Sequence, residues 1–452
     1  METTFEAWGP EVRVVPPGPR SRALAQRLRR VECADTTYLA DDFPVFWERA
    51  LGSNVWDADG NRYVDLTAAF GVATLGHAHP VIAARIEAQS RCLVHGMGDV
   101  HPSELKVRVA EELGRVAPGD LSVALFGGAG FEAVEAALKT AMLVTGRPGA
   151  LAFEGAYHGL GYGALGVTWR ADFRAAFLPQ LNAHTVHATY PASSGVHHAS
   201  PGAAAAAARA LEAVDRILGS AAGDRLGCVV VEPIQGRGGI RIPHASFLAG
   251  LREICTRRNR VLIVDEILTG LGRTGRWFDC ERSGVVPDLL CVGKSLGGGL
   301  PLSVCLGRPE IMAAWGRSGG EARHTSTFLG HPLACAAALA MLETLHAEGW
   351  VRRVAERAEV FDAALSSLHV VDGVADVRGL GALWGVELRT AAGEPDAMRT
   401  FATVKAALRR GVLLLGGGSD RNVLALMPPF SIAADQLDAA FEIVRQSLIE
   451  TA

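Results

Sequence analysis

Short apolar runs alternate with amphipathic segments through the middle of the chain. Each run has four or five residues and is bounded by glycine, proline or polar residues, which is typical of strands buried on both faces. The runs are Val123–Phe126, Ala150–Phe153, Cys228–Glu232, Val261–Asp265 and Leu289–Val292. Helical patterns lie between them, as over Glu132–Val144 and Ser246–Arg258. The alternation predicts an α/β fold with a mostly parallel central sheet sandwiched by helices.

The two ends of the chain follow a different pattern. Asp59-Gly60 is a turn signal between two short strands, so residues 54–65 predict a hairpin. From about residue 350 the pattern predicts a long helix, strands around Gly373–Leu388 and a helix through Arg410. A glycine-rich loop at Gly416–Gly418 follows, and a last strand and helix complete the pattern.

These patterns divide the chain into a large and a small domain. The N-terminal segment 1–75 and the C-terminal segment 346–452 predict a smaller α+β domain, and residues 76–345 predict the large one. Within the large domain, Ser193–Ala208 is rich in serine, glycine, histidine and alanine, which predicts a surface loop that leads into a helix.

Composition narrows the class of protein. The chain has 452 residues, 49% of them hydrophobic and 20% charged, as in a globular protein with a large core. The net charge of −4, without long charged runs, argues against nucleic acid or an anionic membrane as a partner. Met1–Arg20 lacks the apolar stretch of a signal peptide, and no window of about 18 apolar residues predicts a membrane span.

The cysteines indicate the compartment. None of the eight forms a C-x-x-C pair, and several, such as Cys228 and Cys291, lie inside apolar runs. We interpret them as small buried side chains in a reducing environment, so a cytoplasmic protein is expected in preference to one with disulfides or a cysteine-bound metal.

Lys294 differs from the other three lysines. Lys106, Lys139 and Lys405 occur in helical patterns and are expected to be solvated surface charges. Lys294 follows the apolar run Leu289–Val292 and precedes a glycine-rich stretch. A lysine at a buried strand end is unfavourable unless its charge is used or removed, and burial makes it a nucleophile towards aldehydes. The alternative is a side chain that extends along apolar surface to the solvent.

Two further segments place polar groups at predicted strand ends. Asp265 ends one apolar run, and ligands of open α/β sheets bind at that end of the strands. A carboxylate there keeps a pyridinium nitrogen protonated, although aspartate also commonly caps helices. The segment around Gly130 and Phe131 passes from a strand through glycines into a helix, which predicts an anion site suited to phosphate. The loop alone is a weak signal, because many nucleotide-binding folds use it.

Together these features resemble the class III, or ω-type, aminotransferases of pyridoxal-5'-phosphate (PLP) fold type I. The similarity covers nearly the whole chain, and the matching segments occur in the order of the family. They are DGNRYVDLTAAFGVATLGHAHP, GFEAVEAALK, EGAYHG, VEPIQG, VDEILTGLGRTG, VGKSLGGGLPLS, HTSTFLGHPLACAAAL and VRGLGALWGVEL. Asp265 and Lys294 are separated by 29 positions.

The resemblance implies a role for the residues around the cofactor ring. Lys294 would form the internal aldimine with PLP and later move a proton. Asp265 would contact the pyridine nitrogen. Tyr157 would stack on the ring through its π face, and His158 would help to shape the site.

The resemblance also implies how the cofactor phosphate is held. The backbone amides of Gly130 and Phe131 would bind it, and Thr327 would reach the phosphate of a neighbouring subunit. That last role requires a homodimer with shared active sites. Glu232 matches a glutamate of the family and is expected to be structural or to support the residues that touch the cofactor.

The implied reaction moves an amino group from an amino acid donor to an aldehyde or keto acid acceptor, through the Lys294 aldimine and pyridoxamine phosphate. Freed Lys294 would be the general base at the α-carbon of the substrate. Two alternatives stay open. One is a PLP-dependent racemase, epimerase or aminomutase of the same fold. The other is a non-catalytic PLP-binding protein, against which the retained Lys294, Asp265, Tyr157 and Thr327 argue.

Three positions depart from the family pattern and bear on the substrate. Ala425 stands where many members carry an arginine that grips the substrate carboxylate, which makes the racemase more credible than usual. Arg237 stands where many carry a glutamate, and Leu268 replaces a glutamine. We hypothesise that Arg237 receives the carboxylate of a donor such as glutamate, because its bidentate fork suits that group. The alternative is that Arg237 faces solvent.

An apolar acceptor pocket is also expected. It would involve residues in segments that line or adjoin family active sites, namely Phe70, Leu424, Met427 and Trp384. Of these, Trp384 is expected in core packing. The two histidines of the HAHP segment match an ordinary loop of the family, so no metal site is expected.

Overall fold

The computed structural model describes residues 7–191 and 197–452, and it divides the chain into two compact units. Among the described residues, the larger unit comprises 81–191, 197–358 and 378–381. The smaller unit contains residues 7–80, 359–377 and 382–452. The observed divisions at 80/81 and 358/359 compare with sequence-based divisions at 75/76 and 345/346.

Strands and helices follow one another along most of the chain. The strands of the described residues are Trp47–Leu51 (β1), Asn54–Asp57 (β2), Arg62–Asp65 (β3), Val123–Gly127 (β4), Gly149–Phe153 (β5), Thr185–Ala188 (β6), Leu226–Val231 (β7), Val261–Asp265 (β8), Leu289–Val292 (β9), Ser303–Gly307 (β10), Val374–Leu380 (β11), Leu383–Leu388 (β12), Val412–Leu413 (β13), Leu415–Gly417 (β14) and Val423–Leu426 (β15). The α-helices are Pro19–Val31 (α1), Ala68–Gly71 (α2), Pro80–Ser90 (α3), Glu104–Val116 (α4), Gly130–Thr145 (α5), Tyr162–Val167 (α6), Ala171–Arg174 (α7), Pro201–Leu218 (α8), Ser246–Arg258 (α9), Pro309–Met312 (α10), Pro332–Ala347 (α11), Trp350–Ser366 (α12), Ala397–Arg409 (α13) and Ala434–Glu450 (α14).

The larger unit is built on a seven-stranded sheet in the order β4-β10-β9-β8-β7-β5-β6. Strands β6, β5, β7, β8 and β9 are parallel to one another, whereas β10 runs antiparallel to both β9 and β4. The predicted mostly parallel sheet is therefore confirmed, and β8 and β9 have the predicted bounds. Strands β6 and β10 were not predicted.

Helix α5 shows how the sheet is covered. Its buried face consists of small residues, among them Ala133, Ala137 and Ala141, which pack in one cluster with sheet residues such as Val230 and Ile263. Small side chains allow a helix to approach a sheet closely, and a helix buried over such a face gains its stability from that packing. The start of α5 and the ends of the strands therefore hold fixed positions.

The smaller unit contains the predicted hairpin, because β2 pairs antiparallel with β3. A second sheet places β15 between β12 and β14. The predicted glycine loop at Gly416–Gly418 is wrong in part, since Gly416 pairs with Leu424 inside β14. Trp384 lies in the buried core of this unit, as expected.

Three sequence-based expectations have mixed outcomes. Six of the eight cysteines are buried, whereas Cys33 and Cys92, which lie outside apolar runs, are exposed. Helix α8 begins at Pro201, and residues 192–196 of the predicted loop before it lie outside the described residues. Among the helices that the structure describes, none is both long and apolar enough to cross a bilayer.

Candidate active site

Three neighbouring parallel strands end at one edge of the large sheet and carry polar residues there. Glu232 follows β7, Asp265 ends β8, and Lys294 follows β9 by two positions. The side chain of Ile267 lies beside the backbone of both Gly130 and Gly293. A Cβ added to Gly130 would be 3.1 Å from that side chain, and a Cβ added to Gly293 would be 3.3 Å from it. The start of α5 and the ends of β8 and β9 therefore converge, as expected for a ligand site of an open α/β sheet.

Lys294 is held in an unfavourable backbone conformation. Its φ is +43°, in the left-handed region that side chains other than glycine rarely adopt. Burial lowers the pKa of its ammonium group, although the negative charges of Asp265 and Glu232 oppose this effect. The Lys294 side chain is partly buried, so it is not a fully solvated surface charge.

Asp265 is almost fully buried and both of its oxygens are engaged. Oδ2 lies 2.7 Å from Nδ1 of His158, and Oδ1 accepts a hydrogen bond from the Ile267 amide at 3.0 Å. The residues directly after Asp265 form turns, so the carboxylate does not cap a helix and that interpretation is wrong. The geometry instead leaves a buried anionic group at a strand end.

His158 stabilises the charge of Asp265. Burial alone would lower the pKa of His158, but the hydrogen bond and charge of Asp265 outweigh it and raise that pKa. Its backbone amide donates to Thr168 Oγ1 at 2.9 Å, and that hydroxyl donates to the Gly159 carbonyl at 3.0 Å. Its Nε2 is buried and has no hydrogen-bond partner among the described residues.

Tyr157 lies in an aromatic and cationic stack. Its ring meets the ring of Phe173 edge-on at 5.7 Å, and the guanidinium of Arg237 lies 4.8 Å from its centroid. Arg237 is an exposed residue, and its side chain makes no ion pair or hydrogen bond within the part of the chain that the structure describes. An arginine stacked on a ring with free donors is ready to bind an anion.

The start of α5 offers two free backbone donors. The amides of Gly130 and Phe131 have no hydrogen-bond partner among residues 7–191 and 197–452. The two preceding amides are already occupied, because Glu132 Oε2 accepts from Gly128 and from Ala129, the latter at 3.3 Å. Among the described residues, the free amides are thus those of the first two residues of a 16-residue helix, where the helix dipole favours negative charge.

Thr327 lies apart from this group. It is exposed, forms no hydrogen bond to the described residues, and lines an open cavity of about 450 Å³. The other residues of that cavity are His95, Met97, Asp99, Thr325 and Ser326.

The sequence of the chain matches the family model of class III aminotransferases over residues 38–448. The chain belongs to the class III aminotransferase family. A 4-aminobutyrate aminotransferase of Mycobacterium leprae is 36% identical over 445 residues, which cover 96% of each chain. An acetylornithine aminotransferase of Methanopyrus kandleri is 36% identical over 406 residues, covering 90% of this chain and 95% of the relative.

Solved structures of aminotransferases share the fold. An amine transaminase from an uncultivated Pseudomonas species, solved with PLP bound, is 26% identical with a TM-score of 0.85, covering 93% of this chain and 98% of its own. A Bacillus anthracis aminotransferase is 25% identical with a TM-score of 0.87, covering 95% and 99%. The predicted fold type I architecture and aminotransferase class are therefore confirmed.

The departures of this aminotransferase from its family have definite positions. Leu268 packs against the turn before Arg237, because a Cβ on Gly236 would lie 2.1 Å from its Cδ2. Ala425 is buried in β15 of the smaller unit. Phe70 also belongs to that unit, where it is 57% exposed and borders an apolar cavity of about 240 Å³ together with Trp47.

Sequence reasoning misjudged one residue of this aminotransferase. Lys106 is not a solvated surface charge, because it is half-buried and its Nζ donates to the Gly98 carbonyl at 2.6 Å. Glu232 lies behind the candidate site as expected, and its carboxylate contacts two loops through the amides of Tyr157 and Gly236. Spacing in the sequence carries no signal for the first of these two contacts, which joins residues 75 positions apart.

Proposed function

We propose that this aminotransferase holds PLP at the ends of β7, β8 and β9 and uses Lys294 to move protons between substrate and cofactor. The observation that carries the proposal is the convergence of a partly buried lysine, a buried aspartate and a pair of helix-start amides that are free among the described residues, all at one sheet edge. The reaction class is that of the family.

The residues present fit the cofactor. The free amides of Gly130 and Phe131 suit a phosphate, and the buried Asp265 carboxylate suits a protonated pyridine nitrogen. Tyr157 presents a ring for stacking. His158 would act behind Asp265 and not touch the cofactor, because its Nδ1 is directed to that carboxylate.

When bound, PLP supplies an electron-accepting ring that stabilises negative charge at the α-carbon of the substrate. The chain supplies the proton transfers. Lys294 Nζ takes a proton more readily from the α-carbon when it is neutral, and its lowered pKa increases the neutral fraction. Asp265, charged and backed by His158, holds a proton at the ring nitrogen.

Arg237 is the proposed site for the donor carboxylate. Its guanidinium is oriented by the Tyr157 ring and lacks an anionic partner among the described residues. The two relatives from Mycobacterium leprae and Methanopyrus kandleri act, by their names, on 4-aminobutyrate and acetylornithine, both of which carry a carboxylate. An amino acid donor such as glutamate fits this arrangement.

The experiment adds single amino donors to the PLP-loaded protein while its absorption spectrum is recorded, with deuterium incorporation at the α-carbon followed in D₂O. Conversion of the cofactor to pyridoxamine phosphate with release of a keto product is expected. Deuterium exchange with inversion at the α-carbon, without formation of pyridoxamine phosphate, would instead indicate a racemase. The same two relatives are aminotransferases and give the racemase alternative no support.

Arg237→Ala tests the carboxylate site directly. We expect the KM for an amino acid donor to rise about 10- to 100-fold while kcat changes less, because a charge-assisted pair is lost in both ground and transition state. Arg170→Ala is the matched control, since Arg170 stacks on Phe173 at 4.8 Å but is already paired with Asp172. An unchanged donor KM in Arg237→Ala would show that Arg237 merely faces solvent.

A homodimer with shared sites is the proposed assembly. Several large apolar side chains near the Thr327 cavity are more than half exposed, namely Val94, Met97, Val100 and Phe328. A cluster of exposed apolar side chains of this kind typically marks a protein interface. Thr327, which forms no hydrogen bond to the described residues, would then act on the phosphate bound by the partner. A cytoplasmic location remains a prediction from the sequence.

A further inference from the structure

Glu232 joins two loops of the active site through one buried carboxylate. Oε2 accepts a hydrogen bond from the amide of Tyr157 at 3.0 Å, and Oε1 accepts one from the amide of Gly236 at 3.2 Å. The residue is almost fully buried at the end of β7. Each oxygen thus serves a different loop, and a single side chain fixes the distance between them.

The turn that carries Glu232 is itself immobilised. The hydroxyl of Tyr190 donates to the carbonyls of Glu232 and Pro233 at 3.1 and 3.0 Å. Nε2 of Gln235 donates to the carbonyl of Glu154 at 2.8 Å, which ties the same turn to the loop before Tyr157. Because its own backbone is held, the carboxylate has a fixed place from which it bonds both amides.

The two amides belong to the neighbours of the proposed donor site. Tyr157 provides the ring of the stack, and Gly236 directly precedes Arg237, whose guanidinium lies 4.8 Å from that ring. We propose that Glu232 is a positioning residue which sets the Arg237–Tyr157 stack, and that it does so only as a carboxylate. The inference deepens the proposed function, on which its link to the donor rests.

Protonation of Glu232 would remove one of its two hydrogen bonds to the loops. A carboxylate accepts at both oxygens, whereas a carboxylic acid keeps one good acceptor and gains a donor that neither amide can satisfy. Burial raises the pKa of Glu232 to about 7, and the charge of His158 opposes part of that rise. The group therefore changes charge near neutral pH, and the stack loosens as the pH falls.

The charged groups around Glu232 come from every loop of the site. Asp265 disfavours the carboxylate, whereas His158, Lys294 and Arg237 favour it. Tyr190 is the remaining titratable neighbour. Since coupling between two charges is reciprocal, a protonated Lys294 strengthens the attachment of both loops, and a neutral Lys294 weakens it. The donor site thus responds to the proton held by the catalytic lysine.

Hydrogen–deuterium exchange of the PLP-loaded enzyme tests the attachment without reference to activity. Peptides containing Tyr157 or Gly236 are followed at about pH 6 and about pH 8, with rates corrected for the intrinsic pH dependence. We expect one of the two amides to lose about tenfold protection at the lower pH in the wild type, since Glu232 is mostly protonated there. Wild-type protection that does not depend on pH overturns the charge-dependent part of the proposal.

Glu232→Gln and Glu266→Gln form a matched pair. Both glutamates are buried with pKa values raised to about 7, but Glu266 accepts hydrogen bonds from Cys280 and Thr269, away from the stack. In Glu232→Gln we expect one of the two amides to be weakly protected at both pH values. We also expect the KM for the amino donor to lose the change at acidic pH that the wild type shows. Equal effects in Glu266→Gln would indicate a general loss of packing and overturn the proposal.

Glu232→Asp provides the second variant, because it retains the charge with a shorter reach. We expect it to restore the pH dependence of protection and donor KM at least in part, with kcat less affected than KM. No change of protection or KM in either Glu232 variant contradicts a positioning role. Because exchange is measured on the amides themselves, this outcome is distinguishable from failure of the proposed function, which would appear as absent transamination in the wild type.

Discussion

Lys294 combines two unfavourable features at one residue, a left-handed backbone and a partly desolvated amine whose pKa is lowered. The backbone conformation alone costs folding free energy on the order of 1–3 kcal/mol, and the amine forms no hydrogen bond within the described residues that would offset this cost. Residues of this kind persist where function requires them, which agrees with the role that family membership implies.

Lys294→Ala separates function from stability. We expect the rate of the half-reaction with an amino donor to fall about 10²- to 10⁴-fold, because a general acid–base group is lost. Stability to urea should stay equal or rise, since a partly buried charge is removed. Lys139→Ala is the control, because that lysine is exposed on α5. Retained turnover in Lys294→Ala would falsify the assignment.

His158 makes stability depend on pH with a defined sign. Its folded-state pKa is raised above the ordinary value of about 6.5, so its contribution is fully present below that pH and is lost as the pH rises through the folded value. We expect His158→Asn to cost about 1–3 kcal/mol at about pH 6 and less at about pH 9. Urea unfolding at both pH values measures this. A cost that grows with pH would contradict the raised pKa.

At the scale of elements, the loop after β5 is held by a close contact with α5. Gly159 has a φ of +115°, and a Cβ there would lie 2.4 Å from Cβ of Phe131. We expect Gly159→Ala to lower the free energy of unfolding by about 2–4 kcal/mol and to weaken PLP binding, because the loop that carries Tyr157 must move.

Gly146→Ala is the matched control for that substitution. Gly146 also has a positive φ, +67°, but a Cβ there meets nothing within 4 Å. It should cost only about 1 kcal/mol, the penalty of the backbone conformation itself. Urea unfolding and PLP titration of both variants check the difference, and equal costs would show that contact with Phe131 is unimportant.

Buried parallel strands were predictable because continuous apolar runs need no partner to be recognised. β8, β9 and α9 have the bounds predicted from the sequence. Strand β14 was missed, since glycines carry no apolar pattern and Gly416 is ordered by its pairing with β15. The Glu232 contact was missed for the same physical reason: a long-range hydrogen bond leaves no local periodicity. Lys294 and Asp265, by contrast, could be singled out as candidates because Asp265 ends an apolar run and Lys294 follows one by two positions, and the family resemblance then implied their roles.

At the scale of the whole molecule, the proposed homodimer makes a prediction about mixed subunits. Lys294→Ala removes the lysine of a site, and Thr327→Ala removes the group proposed to reach the partner's phosphate. If each site takes Lys294 from one chain and Thr327 from the other, a mixed dimer contains one site with both residues intact. Mixing equal amounts should then restore about one quarter of wild-type activity at limiting PLP, since about half of the dimers are mixed.

The outcome separates two arrangements that a single chain leaves equivalent. If Thr327 served its own chain's phosphate, every site in the mixture would lack one of the two residues and activity would stay at the level of the separate variants. Mixing Lys294→Ala with Lys139→Ala controls for dilution, because the second chain keeps both residues. Native mass spectrometry of the mixture, which resolves the different masses of the two variants, establishes that dimers exchange subunits. Restored activity would therefore require that Thr327 acts across the subunit interface. The exposed apolar side chains around Phe328 are the proposed place of that interface.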